Sequence, residues 1–219
     1  MSKPTTSKLT GRIRAANAEG RTALVPFLPA GYPDPERFWT EMRAMDEVAD
    51  VIEIGMPFSD PVADGPVVEA ASLKALEQGA SVAWILRELK AREPFAAGLV
   101  LMGYLNPVLQ YGPARFAEDA AAAGVNGVIL ADVPFEEAAD IRRELAAHGV
   151  DLIPLVGLNT SAARMRLYAE SATGFAYFVS VLGTTGQRDD LPAEVREGLT
   201  TAREVFDIPM ALGFGLKRP

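Results

Sequence analysis

Cysteine is absent from this chain, and histidine occurs once, at His148. The first absence excludes disulfides, thiol nucleophiles and cysteine-based zinc sites. The second removes histidine-rich metal sites and most Ser-His triads. No apolar run approaches the ~20 residues that span a bilayer, and residues 1–8 lack the apolar stretch of a signal peptide, so a cytoplasmic protein is expected. Basic residues are the minority, 21 Lys and Arg against 29 Asp and Glu for a net charge of −8. A surface of that sign repels phosphate backbones and excludes nucleic acid as a main partner. It does not exclude one small phosphate bound by backbone N–H groups.

What remains is a globular composition, 49% apolar and 23% charged over 219 residues. Short apolar runs recur at 22–28, 50–54, 98–102, 127–131, 151–156, 174–180 and 208–213. Each is nearly unbroken, as in parallel strands buried on both faces. Amphipathic helical patterns separate them at 35–45, 82–91, 113–123, 136–147, 162–170 and 193–206, with further helices at 9–18 and 66–77. Asp34-Pro35 reads as an N-cap followed by proline in the first turn, and Gly79, Gly124 and Gly149 stand where helices stop. Strand–helix repetition predicts an α/β fold with right-handed crossovers. Without a linker or low-complexity tract, residues 1–219 read as one domain. Seven strands and no G-x-G-x-x-G favour a barrel of the (β/α)₈ kind over a doubly wound sheet.

In such a barrel, chemistry sits at the C-terminal ends of strands and in the loops that follow. Most acidic residues fall on helix faces that read as solvated. Glu53 does not, because it interrupts the apolar run Val51-Ile52-Glu53-Ile54. A carboxylate there is costly to desolvate unless paired or used, and burial raises its pKa toward general-acid range. The next loop, Gly55 to Pro66, is stiffened by proline and shaped by glycine. It holds Asp60 and Asp64, and Asp64 is either the cap of the following helix or the second member of an acid/base pair. Gly183-Thr184-Thr185-Gly186 and Gly213-Phe214-Gly215 follow the sixth and seventh runs. Their joint position suits a phosphate held by backbone amides, although each alone is an ordinary glycine turn. Tyr104 and Tyr177 could line a pocket or pack in the core. Asp132-Val133-Pro134 reads as loop geometry, and His148 as a helix C-terminal residue complementing the dipole.

The segment Pro57-Phe58-Ser59-Asp60-Pro61-Val62-Ala63-Asp64-Gly65-Pro66 closely resembles the signature of the tryptophan synthase α chain family. Phe27 to Pro33, Met102 to Pro107, Ala131 to Pro134, Gly183 to Gly186 and Gly213 to Gly215 follow in family order. The resemblance implies a (β/α)₈ TIM barrel that cleaves indole-3-glycerol phosphate to indole and glyceraldehyde 3-phosphate. It implies no metal or organic cofactor in this subunit. Its partner would be a pyridoxal-phosphate β chain in an αββα assembly. By position, Glu53 matches the family's general acid/base and Asp64 its second carboxylate. Tyr177 matches the tyrosine near the glycerol chain, and Thr185 the threonine that orients the aspartate. Phe27, Tyr104, Leu130 and Phe214 match pocket positions, and Gly186 and Gly215 two phosphate-loop glycines.

The family pattern continues into an eighth strand and helix, with a Gly-Ser segment completing the phosphate site. This sequence ends at Leu216-Lys217-Arg218-Pro219. The resemblance therefore predicts seven readable strands with the eighth βα unit missing from the chain. Beside the lyase stands an alternative: a truncated, weak or inactive α chain that docks on the β chain and modulates it.

Overall fold

A computed structural model describes residues 7–180 and 192–213. Along the chain run α1 (Lys8–Ala18), β1 (Phe27–Pro29), α2 (Pro35–Asp46), β2 (Val51–Gly55), α3 (Pro66–Glu77), α4 (Val82–Lys90), β3 (Gly98–Gly103), α5 (Leu105–Tyr111) and α6 (Pro113–Ala122). There follow β4 (Val125–Leu130), α7 (Ala139–Ala147), β5 (Asp151–Leu152), β6 (Leu155–Gly157), α8 (Ala162–Ala169), β7 (Ala176–Val179), α9 (Ala193–Val205) and β8 (Met210–Gly213). All pairings are parallel, in the orders β1-β2-β3-β4-β5 and β6-β7-β8. The predicted strand 151–156 is thus divided. The division falls at Pro154, which has no N–H for a ladder. Bonds from Ile153 N to Val128 O and from Tyr177 N to Pro154 O, both 2.9 Å, carry the surface across it. The described strands therefore take seven places around the curl, with β1 and β8 at its two ends.

Two other boundaries differ from the sequence pattern for equally local reasons. The first strand begins at Phe27 rather than residue 22, because Pro26 lacks a donor. The carbonyls of Leu24 and Pro26 nevertheless accept from Asp50 and Val51 and from Glu53, so the segment still tracks β2. Helix α5 is unannounced in the sequence because it is a short element of about two turns containing Pro107. Proline is tolerated there, in the first turn, where backbone donors have no partner within the helix. The Asp34 cap holds, its side chain accepting from Arg37 N at 2.9 Å.

Alternation within the strands sorts side chains into two layers. Ile52, Ile54, Leu101, Val128, Leu130 and Phe178 pack outward against Phe38, Met42, Ile85, Phe116 and Leu145 of the helices. Val51, Val100, Met102, Ile129, Ile153, Phe175 and Tyr177 face inward. Helix α1 closes the N-terminal end of this inner core. Leu9 lies against Gly98 and Gly127, where an added Cβ would come within 2.8 and 2.7 Å of its methyls. Thr10 Oγ1 donates to Gly174 O at 2.5 Å, and the capping Ser7 donates to Asp151. Leu9 is fully buried. Leu9→Ala is expected to cost about 2–5 kcal/mol, because the rigid strand ends cannot collapse into the void; an unchanged denaturant midpoint would count against α1 as the plug. With that end stoppered, the C-terminal end is left for chemistry.

Candidate active site

Period-two alternation along β2 puts Glu53 on the inner face, between Phe27 of β1 and Val100 of β3 in register. Its side chain is 2% exposed, and its Oε1 has no hydrogen-bond partner among the described residues. Burial alone pushes its carboxyl up to about 8. Ion-paired or hydrogen-bonded carboxylates move the other way, and among the described residues Glu53 forms no ion pair. Burial therefore favours the neutral acid at Glu53.

Asp64 reaches the same end of the barrel from the loop after β2. It does not cap α3; that N-cap is Gly65, with no side-chain bond. Instead Asp64 Oδ2 accepts from the Tyr104 hydroxyl at 3.0 Å. Burial raises the Asp64 carboxyl, and the tyrosine donor works against that rise. Burial alone acts on Glu53, whereas at Asp64 the Tyr104 donor offsets part of the rise, so Asp64 is the better placed of the two to carry the charge.

Phe27, Met102, Ser72 and Ala131 line a cavity together with Asp64 and Tyr104. Phe27 lies flat on β2 only because Gly55 has no side chain; a Cβ there would sit 2.7 Å from its ring. Tyr177 comes in from β7 on the inner face. Burial raises its phenol pKa first, and the nearby Glu53 charge raises it further. Its ring crosses the end of β8, where a Cβ on Gly213 would overlap the Tyr177 hydroxyl. Gly213→Ala is therefore expected to push Tyr177 aside and to cut turnover about tenfold or more with little loss of fold, since a small misplacement at the reacting centre is enough for that. Wild-type kcat in that variant would show that the phenol's position is immaterial.

Leu130 is a correction. As the last residue of β4 it has the outward parity, and it packs in the helix layer. It lines a separate cavity of about 270 Å³, with Phe135, Ala138 and Tyr168, that contains neither Glu53 nor Asp64. The inward residue of that strand end is Ile129. Counting by two from Gly127, which shares a register with Val100 and Glu53, would have found it. Two further contributors, Gly55 and Ser72, carried no signal because their part is space and proximity. Thr185, Gly186, Phe214 and Gly215 lie outside the described residues. Among the described residues, no group of three or more His, Cys, Asp or Glu side chains could hold a metal.

A buried carboxyl on β2 and a half-buried one in the loop after it thus stand at one end of the parallel strands. The family model for the tryptophan synthase alpha chain matches residues 13–219. The chain belongs to the tryptophan synthase α chain family. It is 61% identical over 215 residues to the tryptophan synthase alpha chain of Maridesulfovibrio salexigens, covering 97% of this chain and 84% of that one. The corresponding protein of Nitratidesulfovibrio vulgaris strain DP4 is 60% identical with the same coverage. Among solved structures, the alpha subunit from Legionella pneumophila strain Paris superposes with a TM-score of 0.87 at 33% identity, covering 97% of this chain and 80% of that one. Tryptophan synthase from Mycobacterium tuberculosis gives 0.88 at 36%, covering 97% and 82%. The fold is accordingly the TIM barrel of the tryptophan synthase α chains, and the chain is a lyase of that family.

Proposed function

We propose that Glu53 and Asp64 are the acid/base pair with which this α chain cleaves indole-3-glycerol phosphate to indole and glyceraldehyde 3-phosphate. The single observation that carries the assignment is Glu53: an inward, buried carboxyl whose Oε1 has no hydrogen-bond partner among the described residues. Breaking the bond from indole C3 to the glycerol chain is a retro-aldol step. Glu53 gives its proton to C3, and the ring nitrogen becomes cationic. Asp64, as the anion, accepts the N–H bond and stabilises that charge. The Glu53 carboxylate then takes the proton of the glycerol hydroxyl next to the breaking bond. As the hydroxyl oxygen becomes the aldehyde, the C–C electron pair returns to the ring and neutral indole leaves. Glu53 ends as it began, protonated. Tyr177, beside Glu53, and Phe27 would hold the glycerol chain and the ring. A phosphate site formed by Gly186 and Gly215, with Thr185 steering Asp64, belongs to the same proposal.

The family's α chain needs no cofactor, pyridoxal phosphate being the β chain's, and the β chain is the partner. A solved relative from Pyrococcus furiosus is described as an α2β2 complex with mutual activation; its TM-score is 0.80 at 34% identity. On this chain, docking at the catalytic end is supported by Val62 (83% exposed), Val67 (81%) and Leu109 (52%), all following strand C-termini. Among the described residues, no helix is long and apolar enough to cross a membrane; we place the enzyme in the cytoplasm with the biosynthesis it serves. The test is indole release from indole-3-glycerol phosphate, measured with and without a β chain. Release by the wild-type chain that disappears in Glu53→Gln supports the reading, and equal release by both sinks it.

A further inference from the structure

We propose that Tyr104 is a positioning residue for this reaction: its hydroxyl, set between the Ala63 N–H and Asp64 Oδ2, fastens the Asp64 carboxylate to the end of β3 and fixes the direction from which it meets the indole N–H. The inference rests on the role of Asp64 proposed above. Ala63 N donates to the Tyr104 oxygen at 3.0 Å, and Tyr104 Oη lies 3.0 Å from Asp64 Oδ2. Because the amide fills an acceptor site on the phenol oxygen, the phenol's own proton is left for the carboxylate. That proton stays in place, the phenol pKa being pushed up to about 12 chiefly by burial.

Tyr104 is itself packed in place. It is 3% exposed and stands immediately before α5, whose first amide, Leu105 N, is held by Asp132 Oδ1 at 2.9 Å. The near part of the loop is fastened to the same side chain, the Phe58 ring lying 5.3 Å from the Tyr104 ring. One tyrosine thus holds residues 58, 63 and 64 of a loop in which Ser59, Asp60 and Val62 are exposed. Ring packing would secure the loop without any hydroxyl. The hydroxyl adds direction and anion stabilisation at Asp64. Other titratable groups on the surrounding elements are Asp60 in the same loop, Glu53 on β2, Glu69, Lys74 and Glu77 on α3, Tyr111 on α5 and Asp132 after β4.

The experiment is Tyr104→Phe, which keeps the ring contact and removes the hydroxyl. Loss of a hydrogen bond to a charged group should lower kcat about tenfold and leave KM within about threefold. Removing a donor to the anion raises the Asp64 pKa, so the acidic limb of the kcat profile should move up by about one pH unit. A purely structural tyrosine would not move that limb; an unchanged limb with unchanged kcat overturns the proposal. Carbon-13 NMR titration of the Asp64 carboxyl in the free chain reads the same bond without turnover. If the wild-type chain releases no indole, the reading of the reaction fails, while a raised Asp64 midpoint in Tyr104→Phe still upholds the positioning bond and an unmoved one overturns it. Should Tyr104→Phe not fold, Tyr104→3-fluorotyrosine keeps every contact and donates more strongly; the Asp64 midpoint should then fall, and a fixed midpoint overturns the proposal.

Discussion

Glu53→Gln should abolish indole release, lowering kcat by about 10²–10⁴-fold, the range that general acid/base catalysis supplies, while making the protein more stable in alkali. Both effects have one cause. The amide has nearly the shape of the neutral carboxyl but no proton to give to C3 and no basicity to take one from the glycerol hydroxyl. For stability the sign is set by the raised pKa, from 4.5 to about 8. Below pH 4.5 Glu53 is neutral in both the folded and unfolded chain, and wild type and variant should melt alike. As pH rises from 4.5 to about 8, the unfolded chain releases this proton and the folded chain keeps it, so wild-type stability falls through that window. Above it the folded protein carries a buried charge and the deficit stays constant. Glu53→Gln lacks this term, so its melting midpoint should exceed that of wild type at pH 9 and not at pH 4. The same group predicts that wild-type kcat falls as pH rises through about 8, where the proton donor is lost. An inactive variant with the wild-type stability profile would mean that Glu53 finds a donor after all. An active variant would remove it from the reaction.

Glu53 was legible in the sequence because a charged residue inside an apolar run is conspicuous whatever the fold. Its isolation was not legible, since that depends on which residues face it: Phe27 and Val100 are 26 and 47 positions away and come together only through strand register. The barrel itself was legible because strands buried on both faces are written as unbroken apolar runs. Its exceptions lie at prolines: Pro26 shortens β1, Pro154 divides the fifth strand and Pro107 conceals α5. Asp64 shows the opposite failure. Local chemistry favours it as a helix cap two residues before Pro66, and only the meeting with Tyr104, 40 positions later, takes it from that role. Leu130 and Ile129 are equally apolar neighbours, so composition could not choose between them; parity from Gly127 could. The fold followed from local pattern, and the site from contacts that no local pattern contains.

Asp64→Asn should lower kcat by about 10²–10³-fold, with KM changed little. Asparagine keeps the size of the side chain, and its one carbonyl oxygen, with two lone pairs, can accept from the Tyr104 hydroxyl and the indole N–H together. Binding of the substrate, whose ring nitrogen is neutral, is therefore largely retained. What disappears is the charge, and the charge matters only once C3 is protonated and the ring becomes cationic. An interaction that strengthens only on the way to the transition state appears in kcat rather than in KM. The half-buried position of Asp64 makes that charge worth more than it would be in water, and the Tyr104 donor keeps it available against the desolvation that works to neutralise it. The pH profile separates this from general damage. Asp64→Asn should erase the acidic limb and leave the basic limb of Glu53 near pH 8, whereas a distorted site would lower the whole curve without changing its shape. If the loss falls on KM instead, Asp64 acts on the ground-state ring. If kcat stays within about threefold of wild type, the developing cation is stabilised elsewhere and the pairing of the two carboxyls is wrong.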